Sequence, residues 1–338
     1  MNPPAINSDH SWKFDGLATR RWRQRLLTWY DHNRRDLPWR RDRDPYRVWI
    51  SEIMLQQTRV SAVLEHYRRF LQRFPTVQKL AAAREPAVLA AWSGLGYYRR
   101  ARMMHAAAKV IVKEHGGRFP DTVAELRALP GIGRYTAAAI ASIVFDTPAA
   151  VVDGNVERVL GRVSGADLSG EGVWQAAESL LSRKRPGDFN QAMMELGATV
   201  CVPGPPKCLS CPVVGLCVTR GNPALLEMAP PKKSVRQKRR SICYALDHRN
   251  HSIFLVQRPK HASLMPGMWE LPEVPVPSVR SPDSLTLRHS ITVTDYTVHV
   301  KQGPVPGLIK GRWMAKARVL QLPLTGLTRK ILREAQVI

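Results

Sequence analysis

Two carboxylates, Glu52 and Asp153, are of the type that acid and electrostatic catalysis use. Glu52 lies within Trp49-Ile50-Ser51-Glu52-Ile53-Met54-Leu55-Gln56-Gln57-Thr58, among apolar residues at helical spacing. An acid in apolar surroundings has its charged form disfavoured, so its pKa climbs towards that of a general acid able to donate near neutrality. Asp153 opens Asp153-Gly154-Asn155-Val156-Glu157-Arg158 after the apolar Val151-Val152, at the start of a helix. Each has an ordinary explanation when taken alone: a buried glutamate commonly pairs with an arginine, and an aspartate before a helix commonly caps it. As a pair they match what glycosidic cleavage asks for, one acid protonating the leaving group and one anion facing an oxocarbenium-like sugar.

Four cysteines, Cys201, Cys208, Cys211 and Cys217, follow the spacing C-x6-C-x2-C-x5-C in a segment interrupted by Pro203, Pro205, Pro206 and Pro212. Four thiolates in one loop can close a metal site. Only Cys208 and Cys211 form the close pair that a zinc ribbon brings twice, so the spacing leans towards a cubane iron–sulfur cluster and leaves zinc open. Cys243 stands apart and reads as an apolar filler.

A third group of residues would hold phosphate. Leu129-Pro130-Gly131-Ile132-Gly133-Arg134-Tyr135-Thr136-Ala137 places Gly131 and Gly133 in a tight turn before an Ala-rich helix, where outward N–H groups and the helix N-terminus make an anion seat. The chain as a whole is suited to a polyanion: 51 Lys and Arg against 27 Asp and Glu leave a formal charge of +24 over 338 residues, with the basic residues spread along the length. A base inside a duplex would have to be flipped out before the two acids could reach it.

These residues need a scaffold, and the apolar spacing supplies its outline. From about Trp22 to Val218 apolar positions recur at three and four, punctuated by Pro38, Pro45, Pro75, Pro120 and Pro130, which predicts roughly nine or ten short helices. The run Lys232 to Arg240 has no acidic residue, and 221–240 reads as a basic linker. Beyond it the period becomes two, over Ser241 to Leu246, Ser252 to Gln257, Thr292 to Lys301 and Gly311 to Val319. The expected fold class is therefore α+β in two domains: an all-α domain over 16–220 with its cysteine loop at 201–217, and a smaller α+β domain over 241–338. No stretch reaches ~18 consecutive apolar residues, and the first residues lack a signal-peptide pattern, so no membrane partner is expected and the expected location is the cytoplasm.

Leu37-Pro38-Trp39-Arg40, the Glu52 segment, Gly94-Leu95-Gly96-Tyr97-Tyr98, the Leu129–Ala137 hairpin, Asp153-Gly154-Asn155, Asn190-Gln191-Ala192-Met193-Met194 and the cysteine spacing together resemble the helix-hairpin-helix DNA glycosylases. The likeness is nearest to adenine DNA glycosylases of the MutY type and covers nearly the whole chain. It implies a monomeric enzyme of base excision repair, on the bacterial nucleoid, that removes adenine mispaired with 8-oxoguanine or guanine from double-stranded DNA. It further implies that Glu52 protonates adenine N7, that Asp153 stabilises the oxocarbenium ion, and that Tyr135 and Asn155 orient them. Gln57 would wedge into the stack, with Thr58, Leu95 and Tyr97 near the lesion and Arg40 lining the adenine pocket. The four cysteines would hold a [4Fe-4S] cluster, and the C-terminal domain would be Nudix-like, reading 8-oxoguanine with Thr292 and lacking the acidic box of active Nudix hydrolases.

Two other readings remain. The endonuclease III type shares hairpin and cluster but carries a lysine where this chain has Tyr135, and a tyrosine cannot form the Schiff base that cleaves the strand. A cluster-bearing DNA-binding protein without catalysis would have no use for Glu52 and Asp153 facing phosphates. One departure touches specificity: the family's lesion loop reads H-x-F-[ST]-H, whereas here it is His289-Ser290-Ile291-Thr292-Val293.

Overall fold

In a computed structural model the described residues are 15–220, 222, 238–276, 285–291 and 293–338. Most of the basic linker expected at 221–240, and Thr292, lie outside them. The chain divides into two compact units, Met1–Gln57 with Val110–Pro231, and Thr58–Lys109 with Lys232–Ile338. Up to the cysteine loop the elements are helical, as the apolar spacing predicts: α1 (Gly16–Asn33), α2 (Pro45–Leu55), α3 (Val60–Arg73), α4 (Val77–Ala82), α5 (Glu85–Trp92), α6 (Tyr98–Glu114), α7 (Val123–Ala128), α8 (Arg134–Phe145), α9 (Gly154–Ser164), α10 (Glu171–Leu180) and α11 (Pro186–Thr199). None is long and apolar enough to cross a membrane.

Helix boundaries in the first unit follow local chemistry. Asp15 and Asp44 accept hydrogen bonds from the first-turn N–H groups of α1 and α2, and Pro45 supplies the fixed φ of a first helical position. Gly165, at φ +64°, ends α9 in the left-handed conformation that a side chain would resist. The core is built from Trp22, Leu26 and Tyr30 of α1 against Val156, Val159, Leu160 and Val163 of α9 and Phe189, Ala192, Met193 and Leu196 of α11.

Helix α11 is set by two close approaches. A Cβ on Gly187 would stand 2.5 Å from the Ser142 carbonyl oxygen in α8, and one on Gly197 would stand 2.6 Å from Asn155 Cβ in α9. Between them Asn190, buried, donates to Ser142 Oγ (2.9 Å) and the Ala149 carbonyl (2.8 Å) and accepts from the Val151 N–H (3.3 Å). The extended approach to Asp153 is thereby pinned to α11.

In the second unit, β1 (Lys238–Leu246), β2 (His248–Arg249), β3 (Ser252–Gln257), β4 (Trp269–Glu270), β5 (Glu273–Val274), β6 (Leu285–Ile291), β7 (Thr294–Gln302) and β8 (Arg312–Ala315) form two sheets, ordered β5-β1-β7-β6 and β2-β3-β4 with β8 against β3. β1 and β7 pair in parallel, from Lys238 opposite Thr294 to Leu246 opposite Gln302. The β2–β3 turn at Asn250 and His251 has φ of +44° and +59° at its two central residues, as a tight hairpin requires. A single turn, α12 (Lys316–Val319), and α13 (Gly326–Glu334) complete the chain, and Leu327, Ile331 and Leu332 of α13 pack on Tyr244, Leu246, Val298 and Val300. The period-two segments correspond to β1, β3, β7 and β8; the expected strand over Gly311 to Val319 stops at Ala315 and turns helical.

Because Gly197 leaves no room for a methyl group, Gly197→Ala should lower stability by about 1–3 kcal/mol, the usual cost of overpacking. Denaturant unfolding measures it, and an unchanged midpoint would mean that α11 slides freely on α9.

Candidate active site

Glu52 faces inward from α2, buried among residues of the same helix that include Trp49, Ile53 and Met54. Its partner is Tyr135 at the start of α8, whose hydroxyl donates to Glu52 Oε2 at 2.8 Å and lies 3.2 Å from Met194 Sδ. Burial pushes the Glu52 carboxyl up to about 7; the Tyr135 hydrogen bond holds it back, the negative charge of Asp153 adds to the rise, and Arg40 opposes it. The same burial raises the Tyr135 hydroxyl well above the ordinary phenol range. The arginine-paired explanation therefore does not apply to Glu52.

Asp153 does cap α9. Its Oδ1 accepts from the N–H groups of Asn155 (2.9 Å) and Val156 (2.8 Å), and its Oδ2 from Asn155 Nδ2 (2.9 Å). Capping and a role at the site are compatible, because three donors fix the carboxylate's direction while its field still reaches Glu52. The Asn155 amide is in turn oriented by Arg158, which donates from Nη2 to Asn155 Oδ1 (2.8 Å) and the Gly197 carbonyl (2.7 Å) and from Nε to the Cys201 carbonyl (2.9 Å). One guanidinium so joins Asn155, α11 and the first cysteine.

Arg40 lies in the same unit but is engaged by a second buried acid. Glu195 of α11, fully buried, accepts from Arg35 Nε (2.6 Å) and Nη2 (2.8 Å) and from Arg40 Nη2 (2.8 Å). Burial alone would raise its pKa, but the hydrogen bonds from Arg35 and Arg40 hold it below the usual carboxylate range. From the sequence no role in the site falls to Glu195, Arg35, Met194 or Arg158. Glu195 carried the same signal as Glu52, an acid within an apolar helical period, Ala192-Met193-Met194-Glu195-Leu196.

The remaining candidates divide between the units. Gly131, at φ +75°, and Gly133, which opens α8, make the turn between α7 and α8, and both are exposed. Gln57 is exposed at φ +56°, and the preceding Gln56 donates to Thr136 Oγ1 at 3.3 Å. In the second unit Tyr97 is 52% exposed at φ +47°, whereas the Leu95 side chain is buried. Arg100 binds the Leu95 carbonyl (3.2 Å) and Thr58 Oγ1 (3.4 Å).

Cys201, Cys208, Cys211 and Cys217 line one cavity with Val159, Val163, Leu196, Val200 and Val213, and none of the four is in a disulfide. Burial pushes the Cys211 thiol up to about 11, with Cys201, Cys217 and Cys208 adding to the rise, so the four stand within one another's field. Arg162 lies 3.4 Å from Cys201 Sγ and donates to the Val202 carbonyl at 2.8 Å. Among the described residues no three ligands are gathered tightly enough for a single metal ion. Four thiolates on one cavity match the demand of a four-iron cubane for one thiolate per iron.

A family model described as HhH-GPD superfamily base excision DNA repair protein matches residues 50–182. The adenine DNA glycosylase of Homo sapiens is 41% identical over 330 residues, a match spanning 80% of this chain and 60% of that protein's length. That of Schizosaccharomyces pombe is 32% identical over 336 residues, spanning 79% of this chain and 73% of its own. Among solved structures, a thermostable thymine-DNA glycosylase superposes with a TM-score of 0.57 at 31% identity, covering 61% of this chain and 98% of its own. With the acid pair, the glycine turn and the cysteine loop all inside one helical unit, the chain belongs to the adenine DNA glycosylase family of HhH-GPD base excision DNA repair proteins.

Proposed function

We propose that the protein is a monofunctional DNA N-glycosylase that hydrolyses adenine from double-stranded DNA where it faces 8-oxoguanine or guanine. The observation that carries this reading is Glu52, a buried acid with a pKa of about 7 that is held by a phenol rather than a cation and lies within the field of Asp153. With the adenine flipped out, the Glu52 proton passes to N7, the bond from the sugar C1′ to N9 breaks with its electron pair leaving on adenine, and Asp153 stabilises the cationic sugar until water adds. An abasic site with an intact strand results, because the position of a Schiff-base lysine is occupied by Tyr135.

In this reading the domains run over 16–220 and 241–338, joined by the basic 221–240. Gly131 and Gly133 seat a phosphate, Arg40 lines the base pocket, and Gln57, Thr58 and Tyr97 stand at the vacated stack. Cys201, Cys208, Cys211 and Cys217 hold a [4Fe-4S] cluster, which would supply a rigid cross-link of the loop that supports DNA binding. The C-terminal domain is Nudix-like and reads the oxidised base through Thr292. The protein acts as a monomer on the nucleoid.

The test is single-turnover base release from duplexes carrying adenine opposite 8-oxoguanine, adenine opposite guanine, or thymine glycol, with and without alkali. Adenine release that breaks the strand only after alkali is expected; thymine glycol cleavage without alkali would transfer the protein to the lyase branch. Glu52→Gln should abolish release while leaving folding and duplex affinity intact, and retained turnover would remove Glu52 from the chemistry.

A pH profile checks the acid itself. Glu52 acts when protonated, so the rate should be flat below about 7 and fall roughly tenfold per unit above it. Tyr135 donates to the ionised form and so favours it; Tyr135→Phe should move the break to higher pH. A break at or below its original position in this variant would contradict the assigned hydrogen bond.

Arg158→Met removes the group that orients Asn155 against Asp153. Base release should drop by about tenfold or more with duplex affinity unchanged, and iron content is measured beside it because Arg158 also binds the Cys201 carbonyl. An unaltered rate would show that Asp153 is held by its backbone donors alone.

A further inference from the structure

The loop between α5 and α6 holds its backbone in an unfavourable shape. Gly94, Gly96 and Tyr97 have φ of +109°, +68° and +47° in near succession, and Tyr97 pays the steric penalty of a side chain in the left-handed region. Such a conformation persists only where its surroundings over-determine it. Two sets of contacts do so here, both within the second unit.

The first is Arg100, one turn into α6. Its guanidinium lies 5.3 Å from the Tyr97 ring centroid and 5.5 Å from that of Trp92, and it binds the Leu95 carbonyl at 3.2 Å. A planar cation between two aromatic rings is a well-defined brace. The exposed ring of Tyr97 is thus backed by Arg100 of α6.

The second set ties both ends of the loop to the C-terminal sheet region. Ser93, immediately before the loop, donates to the Leu324 carbonyl at 3.2 Å; Tyr98, immediately after it, donates to the same carbonyl at 3.0 Å. Arg329 of α13 donates from Nε to Ser93 Oγ at 2.9 Å. Ser93, Tyr98 and Leu324 are all buried. Leu324 is itself immobilised by its neighbours, since Trp269 N–H donates to the Pro323 carbonyl and Thr325 N–H to the Trp269 carbonyl, each at 2.9 Å. A further tie runs from Arg102 to the Pro266 carbonyl at 2.6 Å. These partners are more than 150 residues apart in sequence, so the sheet region is what fixes the loop ends.

We propose that Ser93, Tyr98, the Leu324 carbonyl and Arg329 form a buried staple through which the C-terminal sheet region positions the Gly94–Tyr97 loop and presents Tyr97 preformed to the base stack. This rests on the reading of Tyr97 as a residue at the lesion. Ser93, Tyr98 and Arg329 are positioning residues: they touch no substrate, and they act by sparing the loop an ordering step when the duplex binds. The sheet region then serves base extrusion mechanically, apart from any contact it makes with the oxidised base.

The experiment follows extrusion separately from chemistry, using the full chain and a duplex with 2-aminopurine in place of the target adenine, opposite 8-oxoguanine. Unstacking of 2-aminopurine is read as a fluorescence rise. Tyr98→Phe removes one hydroxyl and Arg329→Met one guanidinium; each should slow the rise roughly five- to tenfold, the scale of one buried hydrogen bond. The double variant should be no slower than the worse single one, because both cut the same staple, and Arg329→Lys should recover part of the rate. Tyr97→Ala is run beside them. If Tyr97→Ala is slow while Tyr98→Phe and Arg329→Met extrude at the unaltered rate, or if thermal stability falls without any change in extrusion, the staple is overturned and the reading of Tyr97 stands. If Tyr97→Ala extrudes normally, that reading fails and the proposal falls with it.

Discussion

Burial of a carboxylate inside the helical unit has two outcomes, decided by whether a guanidinium reaches it. Glu195 and Glu52 both lie in apolar helical periods and are both removed from water. Glu195 receives Arg35 and Arg40 and is held as an anion below the usual range; Glu52 receives only a phenol and rises to about 7. A buried ion pair needs its hydrogen bonds complete to offset desolvation, and Glu195 has four of them. Glu52 is left short of that compensation, and a proton that can be given away near neutrality is the consequence.

The geometry that permits this difference is carried by α11. Two glycines let it approach α8 and α9 closely, and between those approaches it contributes Asn190 to the segment before Asp153, Met194 beside the Tyr135 hydroxyl and Glu195 to the arginines. The residues of the site thus come from α2, α8, α11, the start of α9 and the segment between α1 and α2, but one helix sets their spacing. Rigid elements with short hydrogen bonds are the structural means by which catalytic groups keep an orientation before substrate arrives.

Much of this was legible in the residues themselves. An acid inside an apolar period, an aspartate before a helix and a pair of glycines before an Ala-rich segment are local signals, and α2, α9 and the α7–α8 turn lie where those signals put them. Clustered thiols were legible for the same reason. What stayed hidden depends on pairings between distant segments. Arg158 looks like any surface arginine on α9 until Cys201, Gly197 and Asn155 are folded around it. Asn190 gives no sign that it will hold Val151. β6 escaped because its alternation of half-buried and exposed residues lacks fully buried positions, and α12 because the period of two read over Gly311 to Val319 runs on through it. The grouping of Thr58–Lys109 with the C-terminal sheets could not be read from any window of sequence, since a single carbonyl, that of Leu324, gathers hydroxyls more than 220 residues away.

Arg40 connects the two buried acids. Its charge already opposes the rise of Glu52, and a guanidinium free to approach that carboxylate would favour the ionised form further and take away the proton. Glu195 prevents this by engaging Arg40 through Nη2, while the Tyr30 ring, 5.6 Å from the guanidinium carbon, backs the planar group. The arginine is thereby fixed as a cation that has its partner, and Glu52 keeps a hydroxyl for its own. In a chain of formal charge +24, a buried carboxyl rises to about 7 only where the nearby cations have other partners, and in this fold the second buried glutamate engages Arg40.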